Sequence, residues 1–168
     1  QLEHAIAPTQ LLRQLVLQNR SGYAFALDVS PSEREPRTLL GVSPELLLEK
    51  RAGRVFTNPL AGSRPRGRDR GEDEALAREL LASRKDRHEH ALVIDEVASA
   101  LRPFCKQLEV PAAPSLLSTP AMWHLSSELR GELKDPHCSS LLLAQALHPT
   151  PAVCGQPRAP AAQLIGEL

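Results

Sequence analysis

In PTQLLRQLVLQN (8–19) the apolar residues Leu11, Leu12, Leu15 and Val16 recur at helical spacing, and Thr9 is placed to cap them. The period then changes. GYAFALDV (22–29) alternates through Tyr23, Phe25 and Leu27, which predicts a strand. PSEREPR (31–37), polar and broken by prolines, predicts a turn. TLLGVS leads into ELLLEKRAGRVFTNPLAG (45–62), where two β-like runs flank RAGR, whose glycine can take the positive φ of a tight hairpin. SRPRGRDRGED (63–73) reads as a charged loop. From Glu72 to Leu108 the pattern is helical with a break at Ser83, and Ser83 with Asp86 resembles a capping box, Asp standing where Glu is usual. Beyond it Leu92, Val93, Val97, Leu101, Phe104 and Leu108 form a stripe of period near 3.6. VPAAPSLLSTP (110–120) is a proline-rich crossing, HLSSELRGEL (124–133) alternates as one strand, and SSLLLAQAL (139–147) is a helix. HPTPAVCGQPRAP (148–160) holds too many prolines for regular structure, and AQLIGEL (162–168) begins another helix. With no internal repeat and no visible boundary, the expectation is a single α+β domain over 1–168.

Composition narrows the function classes. A chain of 168 residues, 42% hydrophobic, suffices for one domain with a core. Zero formal net charge and 3% aromatic residues argue against nucleic acid or a membrane surface as partner. Cys105, Cys138 and Cys154 are widely spaced, so reduced thiols and a cytoplasmic location are expected. The longest apolar runs, such as LLLAQAL, are too short to span a bilayer, and the first residues lack the form of a signal peptide.

The densest chemistry lies in SRKDRHEHALV (83–93). On a helix Asp86, Glu89, His90 and Val93 share a face and His88 points elsewhere, so His88 and His90 cannot converge on one ion. Two carboxylates one turn apart supply hard oxygen ligands suited to a hydrated Mg²⁺; a plain charged helix surface is the alternative. Glu45 precedes three leucines. A carboxylic acid entering a buried strand favours its neutral, proton-carrying form, as a general acid requires, whereas a strand-end glutamate at the surface needs no function. PLAGS (59–63) joins a strand to a loop through Gly62 and Ser63, whose exposed N–H groups could hold a carboxylate. A simple turn is equally compatible. RPRGRDR reads better as a solvated loop than as a phosphate contact, because Asp69, Glu72 and Asp73 follow it. His124, beside the sole tryptophan Trp123, stands on a strand, and the prolines of HPTPAVCG suggest a rigid pocket-forming loop.

Taken in order, GVSPELLLEK, PLAGSRPRG, LLASRKDRHEHALV, STPAMWHL and HPTPAVCGQPR resemble the chorismate-utilising enzymes, most of all the isochorismate synthases of siderophore and menaquinone pathways. The likeness runs from about Leu12 to Leu168. It implies a fold of antiparallel sheets with helices packed outside, and an active site that binds chorismate and Mg²⁺. It further implies that Glu45 is the general acid for the departing C4 hydroxyl, that Glu89 is a direct metal ligand, and that Asp86 acts on the metal through water. Gly62, Ser63 and His124 correspond to substrate-binding positions, and Ala152 and Val153 to the pocket wall.

The implied reaction adds water at C2 of chorismate and expels the C4 hydroxyl. In the family the general base is a lysine on a strand before the first helix. No lysine precedes Lys50 here, and a second metal-binding glutamate and a substrate-binding arginine belong to a later segment. The resemblance therefore implies an internal part of the domain, inactive alone and monomeric when complete. RPRG after PLAGS resembles anthranilate-type relatives, whereas KDRHEH and HPTPAV are closer to isochorismate synthases. Salicylate synthases more often carry threonine where Ala152 stands. A non-catalytic binding or structural module is the competing expectation.

Overall fold

A proline at the first helical position gives up an N–H that would have no partner there, and Pro8 opens α1 (Pro8–Gln18) in this way. Ala7 is therefore the residue before the helix, and Thr9 lies inside it rather than capping it. The computed structural model describes residues 6–20 and 22–167; Leu168, the last residue of the expected AQLIGEL helix, lies outside them. Contacts gather the chain into two units, Gln1–Leu46 and Leu47–Leu168.

The first unit is α1 with a hairpin. β1 (Tyr23–Asp28) pairs antiparallel with β2 (Thr38–Ser43), and PSEREPR forms the connection. The alternation in β1 is real, yet Tyr23, Phe25 and Leu27 all stay exposed. The Phe25 ring lies over Gly41, where a Cβ would come within 2.9 Å of it.

The second unit begins within β3 (Leu46–Arg51), which is joined to β4 (Arg54–Asn58) by Ala52 and Gly53, both at positive φ as a two-residue hairpin of this twist requires. β5 (Leu60–Pro65) follows, then α2 (Arg70–Ala82) and α3 (Arg84–Leu101). Asp69 caps α2 and Ser83 caps α3, each side chain accepting the N–H three residues on. A 3-10 turn (Arg102–Phe104) leads to β6 (Cys105–Glu109), β7 (Ser115–Ser118), β8 (Met122–Ser126) and β9 (Leu129–Leu133). α4 (Ser140–Leu147), α5 (Pro151–Cys154) and α6 (Arg158–Glu167) complete the chain.

Two antiparallel sheets result, a four-stranded one in the order β3-β4-β9-β6 and a three-stranded one in the order β5-β8-β7. The chain crosses between them at Pro59, through α2 and α3, over residues 110–114, and at Ser127–Glu128. Val93, Ile94, Val97, Ala98 and Leu101 of α3 pack on Val55, Leu129, Leu133 and Cys105, with Leu143 and Leu147 of α4 closing the core.

Several expected elements differ. The helix predicted through Leu108 stops at Leu101, because Pro103 lacks the N–H that would continue it; Phe104 lies in the 3-10 turn and Leu108 in β6. HLSSELRGEL is two strands in two sheets. Leu125, Leu129, Gly131 and Leu133 keep the same parity across the break, so alternation gave no sign of it. The proline-rich 110–120 crossing contains β7, and 148–160 contains α5 and the start of α6. Pro151 and Pro160 sit in first helical turns, where a missing N–H costs nothing, while Pro149 and Pro157 precede the two helices.

Gly131 faces this core: a Cβ there would lie 2.6 Å from Cys105 Sγ and 2.9 Å from Val55. Gly131→Ala is expected to destabilise the chain by about 1–3 kcal/mol through overpacking. Adding Cys105→Ala should recover part of that loss, as a double-mutant cycle of urea denaturation would measure.

Candidate active site

Pro59 ends β4 and sends the chain into β5, where the sequence LAGSRPR builds the site. The pairing runs Leu60 with Ser126 and then Ser63 with His124, so Ala61 and Gly62 together oppose Leu125. Such a bulge with a left-handed glycine fits Gly62, whose φ is 86°. Space also demands glycine, since a Cβ would stand 3.1 Å from Asp86 Cβ and 3.3 Å from Leu125. Gly62 and Ser63 thus lie within a strand and not in the expected strand-to-loop turn.

Beyond the bulge, successive side chains take opposite faces. Ser63 Oγ is 2.7 Å from His124 Nδ1 on one face. Arg64, on the other, donates from Nη2 to Asp86 Oδ2 at 2.9 Å, reaches Glu79 at 3.4 Å, and donates to the Ser63 carbonyl at 3.0 Å. Arg66 follows on that same helix-covered side, gripping Asp73 of α2 through two bonds of 2.7 and 2.6 Å while its guanidinium lies 4.6 Å over Trp123. Asp73 also accepts from Gly67 N–H and Trp123 Nε1, each at 2.9 Å. The RPRGRDR stretch is therefore no freely solvated loop: Arg64 and Arg66 are half-buried and paired.

α3 meets the bulge with its first turns. Ser83 Oγ caps Asp86 N–H at 3.2 Å. Asp86 is 6% exposed and His90 2% exposed, which removes the reading of this stretch as a wet helix face. The Ser83 hydroxyl, then the Arg64 guanidinium, hold the Asp86 carboxyl below its ordinary range against the opposing pull of burial. His90 Nδ1 lies 3.0 Å from the Ala61 carbonyl, and Nε2 lies 2.9 Å from Ser127 Oγ. A carbonyl can only accept, so Nδ1 carries the proton and Nε2 accepts from Ser127. Burial lowers the basicity of this imidazole, which keeps it neutral.

Glu89, about 60° round the helix from Asp86, has a side chain 50% exposed and pairs with Lys85 at 3.4 Å. Glu45 is half-buried beside the start of β3 and belongs to the first unit; its N–H donates to Ser43 Oγ at 3.2 Å. Ala152 and Val153 lie exposed in α5. Gln156, just beyond that helix, donates to Glu96 at 3.5 Å, and Glu96 is about 15 Å along α3 from Asp86. The structure thus gathers Gly62, Ser63, His124 and Asp86 around one bulge, holds Glu89 at its flank, and places Ala152 and Val153 elsewhere along α3.

No group of three or more metal-ligating side chains converges among the described residues. Asp86 and Glu89, one turn apart, nonetheless fit a Mg²⁺ that keeps several waters and takes one or two carboxylates. Sequence reasoning missed His90, Arg64, Arg66 and Asp73. Two signals were present: His90 falls inside the apolar stripe, and Arg64 and Arg66 sit at strand spacing.

Asp73 supports β8, which carries His124, through Trp123. The Arg66 guanidinium first, then the Gly67 N–H, push its carboxyl well below the usual carboxylate range. A depressed folded-state value adds stability above the unfolded value and loses it as pH falls toward the folded one. Asp73→Asn should therefore lower the melting temperature at pH 7, and the gap to wild type should shrink as pH drops below 3.8. Thermal melts at pH 7 and pH 3 decide this; a gap independent of pH would refute it.

Similarity to known proteins agrees with the geometry. Over 154 residues the chain is 59% identical to isochorismate synthase DhbC of Bacillus subtilis, covering 90% of this chain and 39% of that protein. The crystal structure of DhbC from Bacillus anthracis superposes with a TM-score of 0.90 at 52% identity, over 98% of this chain and 44% of that one. MenF, the menaquinone-specific isochorismate synthase of Escherichia coli, shares the fold at a TM-score of 0.77 and 27% identity, over 94% of this chain and 35% of that one. The chain spans about two fifths of the length of its curated relatives. No helix among the described residues is long and apolar enough to cross a membrane. Residues 1–168 match the family described as chorismate binding enzyme, and the chain belongs to that family.

Proposed function

We propose that the protein carrying these residues is an isochorismate synthase. The observation that carries this reading is the Gly62 bulge, which sets Ser63 against His124 on one face and Asp86 against the other. The relatives' names supply the substrate class. Ser63 and His124 then bind chorismate through their hydroxyl and imidazole, and the glycine leaves backbone N–H groups accessible to a carboxylate. Glu89 would hold Mg²⁺ directly and Asp86 would do so through water, with Ala152 and Val153 kept as pocket-wall residues on motif correspondence. When bound, the ion neutralises and fixes the substrate carboxylate.

Glu45 gives its proton to the C4 oxygen as the C4–O bond breaks. Water forms the new C2–O bond and loses its proton to a base outside the residues assigned here, so one water enters and one leaves. Chorismate is the protein's small-molecule partner. A binding module without turnover is the alternative reading.

Turnover of chorismate by the full protein, followed by chromatography of isochorismate, tests the assignment. Glu45→Gln is expected to lower kcat by about 10²–10⁴-fold with KM little changed, and Ser63→Ala to raise KM about five- to tenfold. Unaltered kcat in Glu45→Gln would remove the general-acid role. Binding of chorismate with no product would favour the module.

A further inference from the structure

A bulge leaves one strand residue out of the ladder, and its backbone polar groups need other partners. Here the Ala61 carbonyl, immediately before Gly62, is received by His90 Nδ1–H at 3.0 Å. The opposite edge of the same ring accepts from Ser127 Oγ at 2.9 Å, and Ser127 directly follows β8. One buried imidazole thus ties the bulged strand to the exit of the strand it opposes. Those two strands carry Ser63 and His124, which meet at 2.7 Å.

We propose that His90 is a positioning residue for the Ser63–His124 pair: by holding the Ala61 carbonyl and the Ser127 hydroxyl it fixes the geometry from which both side chains meet the substrate. The substrate part rests on the reading of Ser63 and His124 as chorismate-binding residues. The ring's shape suits the task, since a rigid plane presents a donor and an acceptor at opposite edges. An amide reproduces one of these, and an apolar ring neither.

The test compares the full protein with its His90→Phe, His90→Asn and Ser127→Ala variants, recording the NMR signals of the Ser63 amide and the His124 ring nitrogens beside a thermal melt. His90→Phe is expected to shift both sets of signals and weaken chorismate binding about tenfold. His90→Asn, whose amide N–H occupies the place of Nδ1, should return the Ser63 signal and the affinity toward wild type. Ser127→Ala should move His124 more than Ser63. Val93→Ala, one turn further along the same face, should lower the melting temperature and leave both signals in place, which separates positioning from plain core loss.

Signals of Ser63 and His124 that stay unmoved in a folded His90→Phe would overturn the proposal. Should that variant fail to fold, His124 signals that stay unmoved in both His90→Asn and Ser127→Ala would do so equally. A wild-type full protein that gives no response to chorismate would refute the functional reading alone, because the NMR comparison decides the role of His90 without a ligand.

Discussion

The contact on which this structure turns is the approach of α3 to Gly62, close enough that one added carbon would stand 3.1 Å from Asp86 Cβ. The helix can come this near because the strand bulges and because the bulging residue has no side chain. That approach buries a carboxylate and an imidazole, and buried polar groups persist only with partners. Arg64 and Ser83 answer Asp86; Ala61 and Ser127 answer His90. Among the described residues no buried side-chain nitrogen or oxygen lacks a hydrogen bond. The polar set is therefore closed, and loss of one member exposes its partner to the full cost of desolvation.

Strand alternation then divides the labour of β5. Arg64 and Arg66 turn toward α2 and α3 and are spent on Asp86, Glu79 and Asp73. Ser63 turns the other way and meets His124. The same residue step that anchors the strand thus sets a hydroxyl against an imidazole on the opposite face. Asp86, with Oδ2 already held by Arg64, is poorly placed to be the principal ligand of an ion, whereas Glu89 keeps half its side chain in solvent and is held by a long exposed contact to Lys85. Their difference in burial, set by about 60° of helix rotation, fits a direct and a water-mediated role.

How much of this was legible in the sequence depended on whether the cue was local. The Ser83 cap, the RAGR hairpin and the Ser139-capped α4 rest on interactions within a few residues, and they form where the pattern predicts. The break at Ser127–Glu128 escaped because both flanking strands bury residues of the same parity. Gly62 was read as a turn because a left-handed glycine within a strand and one at a strand's end look alike until the partner strand is known. For His90 the signal was geometric and present: it lies four residues after Asp86 and three before Val93, on the face that goes inward.

The weight placed on KDRHEH therefore shifts in a specific way. As a string of donors it suggests metal chemistry throughout, yet burial sorts its members into distinct tasks. His90 and Asp86 point into the protein and are satisfied there, while Glu89 faces outward at the rim. Two residues of this helix surface are committed to the neighbouring strand, and they fix the helix from which Glu89 projects. This is what preorganisation requires, because a carboxylate on a mobile helix would have to be ordered anew at each binding event.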